Sequence, residues 1–235
     1  MKQLLWSMLA IVVTITFSLA QGENPDQALF EFITPKIQNM GTVLDGDILK
    51  GSIVFKYKGS GEFHIQAVNT SCGCTVVEFQ KNTYKPGEVI SIPFEINTTG
   101  FRGPIQKRIA IYYDKPRSSI LVFKVRAVVT PLLEYKPSFV RLRLSPDKPA
   151  AVGEVIFKNN SAQPVKITAL EIPDKRINAT FSSKVIAPHK SEKLTVVFEG
   201  VVEDNQRFVI KFQNTAYPEK WFSIPVYVFP ARGSE

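Results

Sequence analysis

A chain of 235 residues has room for one large domain or two small ones, and 44% hydrophobic with 21% charged residues excludes a mostly disordered chain and a polytopic membrane protein. Seventeen Phe and seven Tyr against three Met favour strands over helices, and sixteen Pro with thirteen Gly interrupt the chain too often for long helices. The formal charge of +8 is spread without a run of five like charges, and two His and two Cys leave little material for metal or nucleophile chemistry.

The chain opens on Lys2 and a nearly unbroken apolar run from Leu4 to Ala20, with small residues Ser18 and Ala20 three and one positions before Gln21. This is the pattern of a cleaved secretory signal over residues 1–20. An uncleaved anchor helix is the other reading, since about 17 apolar residues lie at the lower edge of a membrane span. Export places the rest of the chain in the periplasm or cell envelope, where thiols oxidise.

Asp45-Gly46-Asp47 reads as a turn rather than a calcium loop, which would need more oxygens nearby. Strict alternation follows at Ile90, Ile92, Phe94 and Ile96, then at Ile109, Ile111 and Tyr113, then along Leu121 to Val129. It returns at Leu194, Val196 and Phe198, at Phe208, Ile210 and Phe212, and from Phe222 to Val228. A period of two with turn residues between the runs predicts half-buried antiparallel strands at sandwich spacing. In Val140-Arg141-Leu142-Arg143-Leu144 the arginines mark the wet face of one such strand, with an anion-binding ladder as the lesser reading. His189 falls in an Ala-Pro-His-Lys turn, and Asn-x-Ser/Thr sequons begin at Asn69, Asn97, Asn159 and Asn178.

The two halves resemble each other. Gly51-Ser52-Ile53-Val54-Phe55-Lys56 matches Gly153-Glu154-Val155-Ile156-Phe157-Lys158, and Ile65-Gln66-Ala67-Val68 matches Ile167-Thr168-Ala169-Leu170. Phe94 is then aligned with Phe198, Ile109 with Val209, and Pro131 with Pro230. A repeat of about 100 residues is one domain rather than a solenoid unit. The expected architecture is all-β: two tandem Ig-like antiparallel β-sandwiches after the signal peptide, over residues 27–130 and 131–235.

One constellation could carry chemistry: Asn69-Thr70-Ser71-Cys72-Gly73-Cys74-Thr75, with no cysteine counterpart in the second half, where Pro173-Asp174-Lys175-Arg176-Ile177 stands. Three readings remain open. Cys72 and Cys74 form a local disulfide, for which Gly73 supplies the backbone freedom. They act as a redox dithiol, although no Lys, Arg or helix start within three residues lowers a thiol pKa. Or they bind a soft metal with His64, which by strand parity faces with Gln66 and Val68. No glycine-rich phosphate loop or G-x-S-x-G elbow occurs, so no catalytic residue and no cofactor is assigned.

The first half resembles a known bacterial family, the domain of unknown function numbered 1573, an Ig-like module similar to Hydin-type and major-sperm-protein-like domains. The resemblance covers about residues 29–128. It rests on Phe30-x-Phe32, Gly41-x-Val43, Gly46, Val54-Phe55, Gly61 and Ile65, then on Ser71-Cys72-Gly73-Cys74-Thr75 and Pro86-Gly87-Glu88. Ile92, Phe94, Gly103 and the strand Lys107–Tyr113 complete it. It implies an exported sandwich of unassigned role and supplies no catalytic residues.

The expected function is that of a non-catalytic exported binding or adaptor protein, whose partner is another envelope or secreted protein. Nucleic acid is not an expected partner, because basic residues form no focused stripe with interleaved aromatics; a weak contact with an anionic surface is compatible with the charge. No pattern fixes an oligomeric state. The rival class is a thiol redox or soft-metal-handling protein using Cys72 and Cys74.

Overall fold

The computed structural model describes residues 29–77, 81–114, 119–148 and 150–231, so the signal-peptide expectation lies outside the described residues. In chain order the first nine strands are β1 (Phe30–Phe32), β2 (Ile37–Leu44), β3 (Ile48–Tyr57), β4 (Phe63–Thr70), β5 (Thr75–Val77), β6 (Thr83–Tyr84), β7 (Val89–Asn97), β8 (Gly103–Tyr113) and β9 (Ser119–Thr130). Nine more follow: β10 (Leu133–Lys136), β11 (Val140–Arg143), β12 (Ala150–Asn159), β13 (Val165–Glu171), β14 (Ile177–Phe181), β15 (Val185–Ile186), β16 (Ser191–Glu199), β17 (Gln206–Asn214) and β18 (Tyr217–Phe229).

They form four sheets with matching orders. β1-β3-β7-β5 faces β2-β9-β8-β4-β6 across one core, and β10-β12-β16-β14 faces β11-β18-β17-β13-β15 across another. Neither core cluster draws on the other half: one runs from Phe30 to Ala127, the other from Leu133 to Val228. Alternation produces this directly. Along β7 every second residue, Ile90, Ile92, Phe94 and Ile96, is buried while its neighbours are exposed, because successive side chains point to opposite faces of a strand. All the sheets pair antiparallel except at two places, where β2 runs parallel to β9 and β11 parallel to β18.

Aromatic rings fill the first core. Phe30 meets Phe55, Phe63 and Tyr113 edge-on at 5.2–5.4 Å, the tilt favoured by ring quadrupoles. The glycines matched across the repeat are forced by close approach. A Cβ on Gly51 would stand 2.5 Å from the Phe94 ring, and one on Gly153 would collide with Val140.

Pairing corrects two alignments within the repeat. Gly51 lies opposite Phe94 but Gly153 lies opposite Val196, so the counterpart of Phe94 is Val196, and Phe198 corresponds to Ile96. Both phenylalanines are nevertheless buried, since a two-residue slip preserves the strand face. Ile65 pairs with Tyr113 and Ile167 with Asn214, so Ile109 corresponds to the buried Ile210 rather than to Val209, which points outward opposite Pro225. The Asn159 sequon is also reassigned. Asn159 is fully buried, and its amide donates to the carbonyls of Gln163 and Ile186, leaving no place for a glycan.

Candidate functional site: the turn that carries Cys72 and Cys74

The turn crosses from β4 in one sheet to β5 in the other. Its Cα atoms at Cys72 and Cys74 are 5.2 Å apart and the sulfurs are bonded. The Thr75 hydroxyl lies 3.6 Å from Cys72 Sγ and 3.9 Å from Cys74 Sγ. The backbone is held independently of the sulfurs. The Thr70 hydroxyl donates to the Cys72 carbonyl at 3.0 Å, the Thr75 N–H to the same carbonyl at 3.3 Å, and the Asn97 N–H to the Cys74 carbonyl at 2.9 Å. Ser71 ties the turn to β8: its N–H donates to the Arg108 carbonyl and its hydroxyl accepts from the Arg108 N–H.

His64 is not part of this site. A bulge between Ile65 and Ala67 lets Gln66 step out of register, so the expected parity of His64 with Val68 is broken and Val68 turns toward the core. His64 stands six residues before Thr70, about 20 Å along an extended strand. Its Nδ1 lies 3.2 Å from the Thr83 hydroxyl and its Nε2 3.9 Å from the Glu62 carboxylate. The three soft-metal candidates Cys72, Cys74 and His64 are therefore not brought together.

The register agrees with the stretch that the repeat sets at this place in the other half. Thr75 pairs with Ile96 as Ile177 pairs with Phe198, so Cys72 and Cys74 correspond to Asp174 and Arg176. There the Arg176 Nε and Nη2 donate to the two Asp174 carboxylate oxygens at 3.0 and 2.9 Å, and the Arg176 N–H donates to Asp174 Oδ1 at 2.9 Å. These hydrogen bonds hold the Asp174 carboxyl well below the usual range, at about 2. The main-chain bonds repeat as well: Ile177 N–H to the Asp174 carbonyl at 3.0 Å, and Glu199 N–H to the Arg176 carbonyl at 2.8 Å. A covalent link and an ion pair thus close the same turn at the same two positions.

The family model described as a protein of unknown function, DUF1573, matches residues 30–129. The first sandwich is a DUF1573 domain. The Cys-Gly-Cys turn lies inside the DUF1573 match and the ion-paired turn outside it. No curated protein matches the chain. Among solved structures, a protein of unknown function from Porphyromonas gingivalis W83 is 9% identical, with 85% of this chain and 99% of that one covered, at a TM-score of 0.37. The VesB protease of Vibrio cholerae is 12% identical over 43% of this chain and 32% of its own, at 0.38. The I9–I11 tandem of titin is 9% identical over 86% and 66%, at 0.36. Scores this low carry no argument, and the Ig-like layout of the DUF1573 domain and its neighbour is read from their own strand order.

A second polar centre joins the DUF1573 domain to the second sandwich, and it uses the Asp-Gly-Asp turn. Asp45 is buried; its Oδ1 accepts the Gly100 N–H at 2.7 Å and its Oδ2 accepts the Tyr217 hydroxyl at 2.9 Å. The Tyr217 oxygen in turn accepts the Leu132 N–H at 2.9 Å, between β9 and β10. Burial pushes the Tyr217 phenol up to about 12, and the Asp45 carboxylate adds to this. The sequence signals a turn at Asp45 but not its partner.

Proposed function

We propose that the chain is an exported, non-catalytic binding or adaptor protein, with the Cys72–Cys74 turn as scaffold rather than reaction centre. The observation that carries this reading is the equivalence of the turn with the Asp174–Arg176 ion pair. A position filled by a disulfide in one sandwich and by a salt bridge in the other has a shared mechanical task, closing the crossover between sheets, and no shared reactivity. Export is supported by the leader pattern of residues 1–20 and by a disulfide, which persists in oxidising compartments. Sheet edges and end loops are the natural docking surfaces of such a fold. The test is capture of a partner from the host's own envelope extract by the mature chain. The Cys72→Ser/Cys74→Ser variant should capture the same partner with similar yield.

A thiol redox role is the second reading, favoured by the partial exposure of both cysteines. It requires that the reduced wild-type protein show two fast-reacting thiols and catalyse disulfide exchange that the double variant cannot. That result would displace the adaptor reading.

A further inference from the structure

The outer face of the sheet β11-β18-β17 places one arginine on either side of one ring and a third beside the next ring along. Arg141 on β11 is opposite Tyr227 on β18, and Tyr227 is opposite Arg207 on β17, so the two arginines flank the ring about two strand spacings, or 9–10 Å, apart. Arg143 follows two residues along β11, opposite Phe229. All three arginines are exposed, while Val140 and Leu142, which alternate with Arg141 and Arg143, are buried in the core. No ion pair reaches Arg141, Arg143 or Arg207 among the described residues, and the cross-strand rows in which they stand hold no carboxylate.

Like charges gathered on one face repel, and no carboxylate among the described residues is paired with them. Rings hold two of the three cations in place. The Arg141 guanidinium lies 5.1 Å from the Phe139 centroid, and that of Arg143 lies 5.1 Å from Phe229. Phe139 packs edge-on against Tyr227 at 6.1 Å. A guanidinium seated on a ring keeps its N–H fork free for a carboxylate, which it binds with two parallel hydrogen bonds.

The geometry points to this face as a binding surface for an anionic polysaccharide bearing carboxylates, a polyuronate in chemical class. This inference rests on the binding-protein reading above and names its partner. Cations and rings alternate across the strands, and such a polymer alternates carboxylates with the apolar faces of its pyranose rings. A chain laid across β11, β18 and β17 meets Arg141, Tyr227 and Arg207 in turn. A bilayer fits less well. Side chains that anchor at membranes reach outward from the surface, whereas Tyr227 and Phe229 are half-buried and Phe139 alone of the three rings is exposed.

The experiment titrates the full chain with polygalacturonate, with neutral dextran and with phosphatidylglycerol vesicles, at low and raised salt. Wild-type protein should bind polygalacturonate, lose affinity as salt rises, and ignore dextran. The triple variant Arg141→Gln/Arg143→Gln/Arg207→Gln should keep its melting temperature and lose about tenfold in affinity, since each exposed contact is worth a few-fold. The triple Arg→Lys variant should also weaken, because an ammonium cannot form the fork. Equal binding by wild type and the Gln variant, or no binding of polygalacturonate by wild type, overturns the inference. So does vesicle binding that the Lys variant retains, which would make the face a membrane contact. The adaptor reading survives each of these results if an envelope partner is still captured, and falls separately if the cysteines prove catalytic.

Discussion

Replacing both cysteines, as Cys72→Ser/Cys74→Ser, tests whether the turn is held by its sulfurs or by its backbone. The ring closed by residues 72–74 holds three residues, for which the chain-entropy relation gives about 1.6 kcal/mol at 25 °C as the stabilisation lost with the link. The main-chain bonds from Thr75 and Asn97 and the Thr70 hydroxyl bond all remain, so the native turn need not rearrange. The expected loss is therefore about 1.6 kcal/mol or less, a drop in melting temperature of roughly 4–8 °C per kcal/mol for a sandwich of this size. Urea unfolding of the full chain measures the loss, and amide exchange at Thr75 and Asn97 reports whether the turn stays closed. Failure of the variant to fold, or a loss beyond about 3 kcal/mol, would refute the reasoning and make the disulfide a principal staple.

Lowering the pH should act on the other turn. With its pKa depressed, Asp174 contributes stability that is present above its ordinary pKa of 3.8 and lost as pH falls toward about 2. Ile177 amide exchange should accelerate over that window, and Asp174→Asn should remove the pH dependence. Tyr217→Phe removes a bond to a buried carboxylate and leaves the Leu132 N–H without its acceptor, at a cost of about 1–2 kcal/mol in urea unfolding; an unchanged midpoint would show that the joint bears no load. Phe94→Ala and Phe198→Ala should each cost about 3–5 kcal/mol, and losses under about 1 kcal/mol at both would contradict their burial. Residues 27–130 and 131–235, expressed separately, should each give a strand-dominated circular dichroism spectrum; a helical one from either half would sink the tandem architecture.

Alternation is enough to find the long strands β7 to β9 and β16 to β18, because a sandwich with one wet and one dry face per sheet writes its period of two into the chain. It located β7 and β18 and the inward side of Phe94 and Phe198. It could not find the bulge at Gln66, since one extra residue changes the face of everything after it without changing composition. The mismatch of Val209 with Ile109 has another source: β17 follows β16 by one residue fewer than β8 follows β7, so no single offset aligns both strand pairs. The repeat already sets the Cys-Gly-Cys motif against Asp174-Lys175-Arg176, and the register of β5 and β14 agrees; what the sequence does not show is that both pairs close the same turn, one by a disulfide and the other by an ion pair. The Asp45–Tyr217 bond spans 172 residues, and nothing local to either partner announces it.

The parallel pairing of β2 with β9 and of β11 with β18 governs how the chain answers a mechanical pull. In each sandwich these two strands lie near opposite ends of the polypeptide. Tension along the chain drags the earlier strand backward and the later one forward, so the two slide past each other. The rungs between them are loaded in shear and must give way together, whereas an antiparallel hairpin pulled at its open end unzips one rung at a time. The short strands β1 and β10 pair antiparallel in the other sheet and stand outside this clamp.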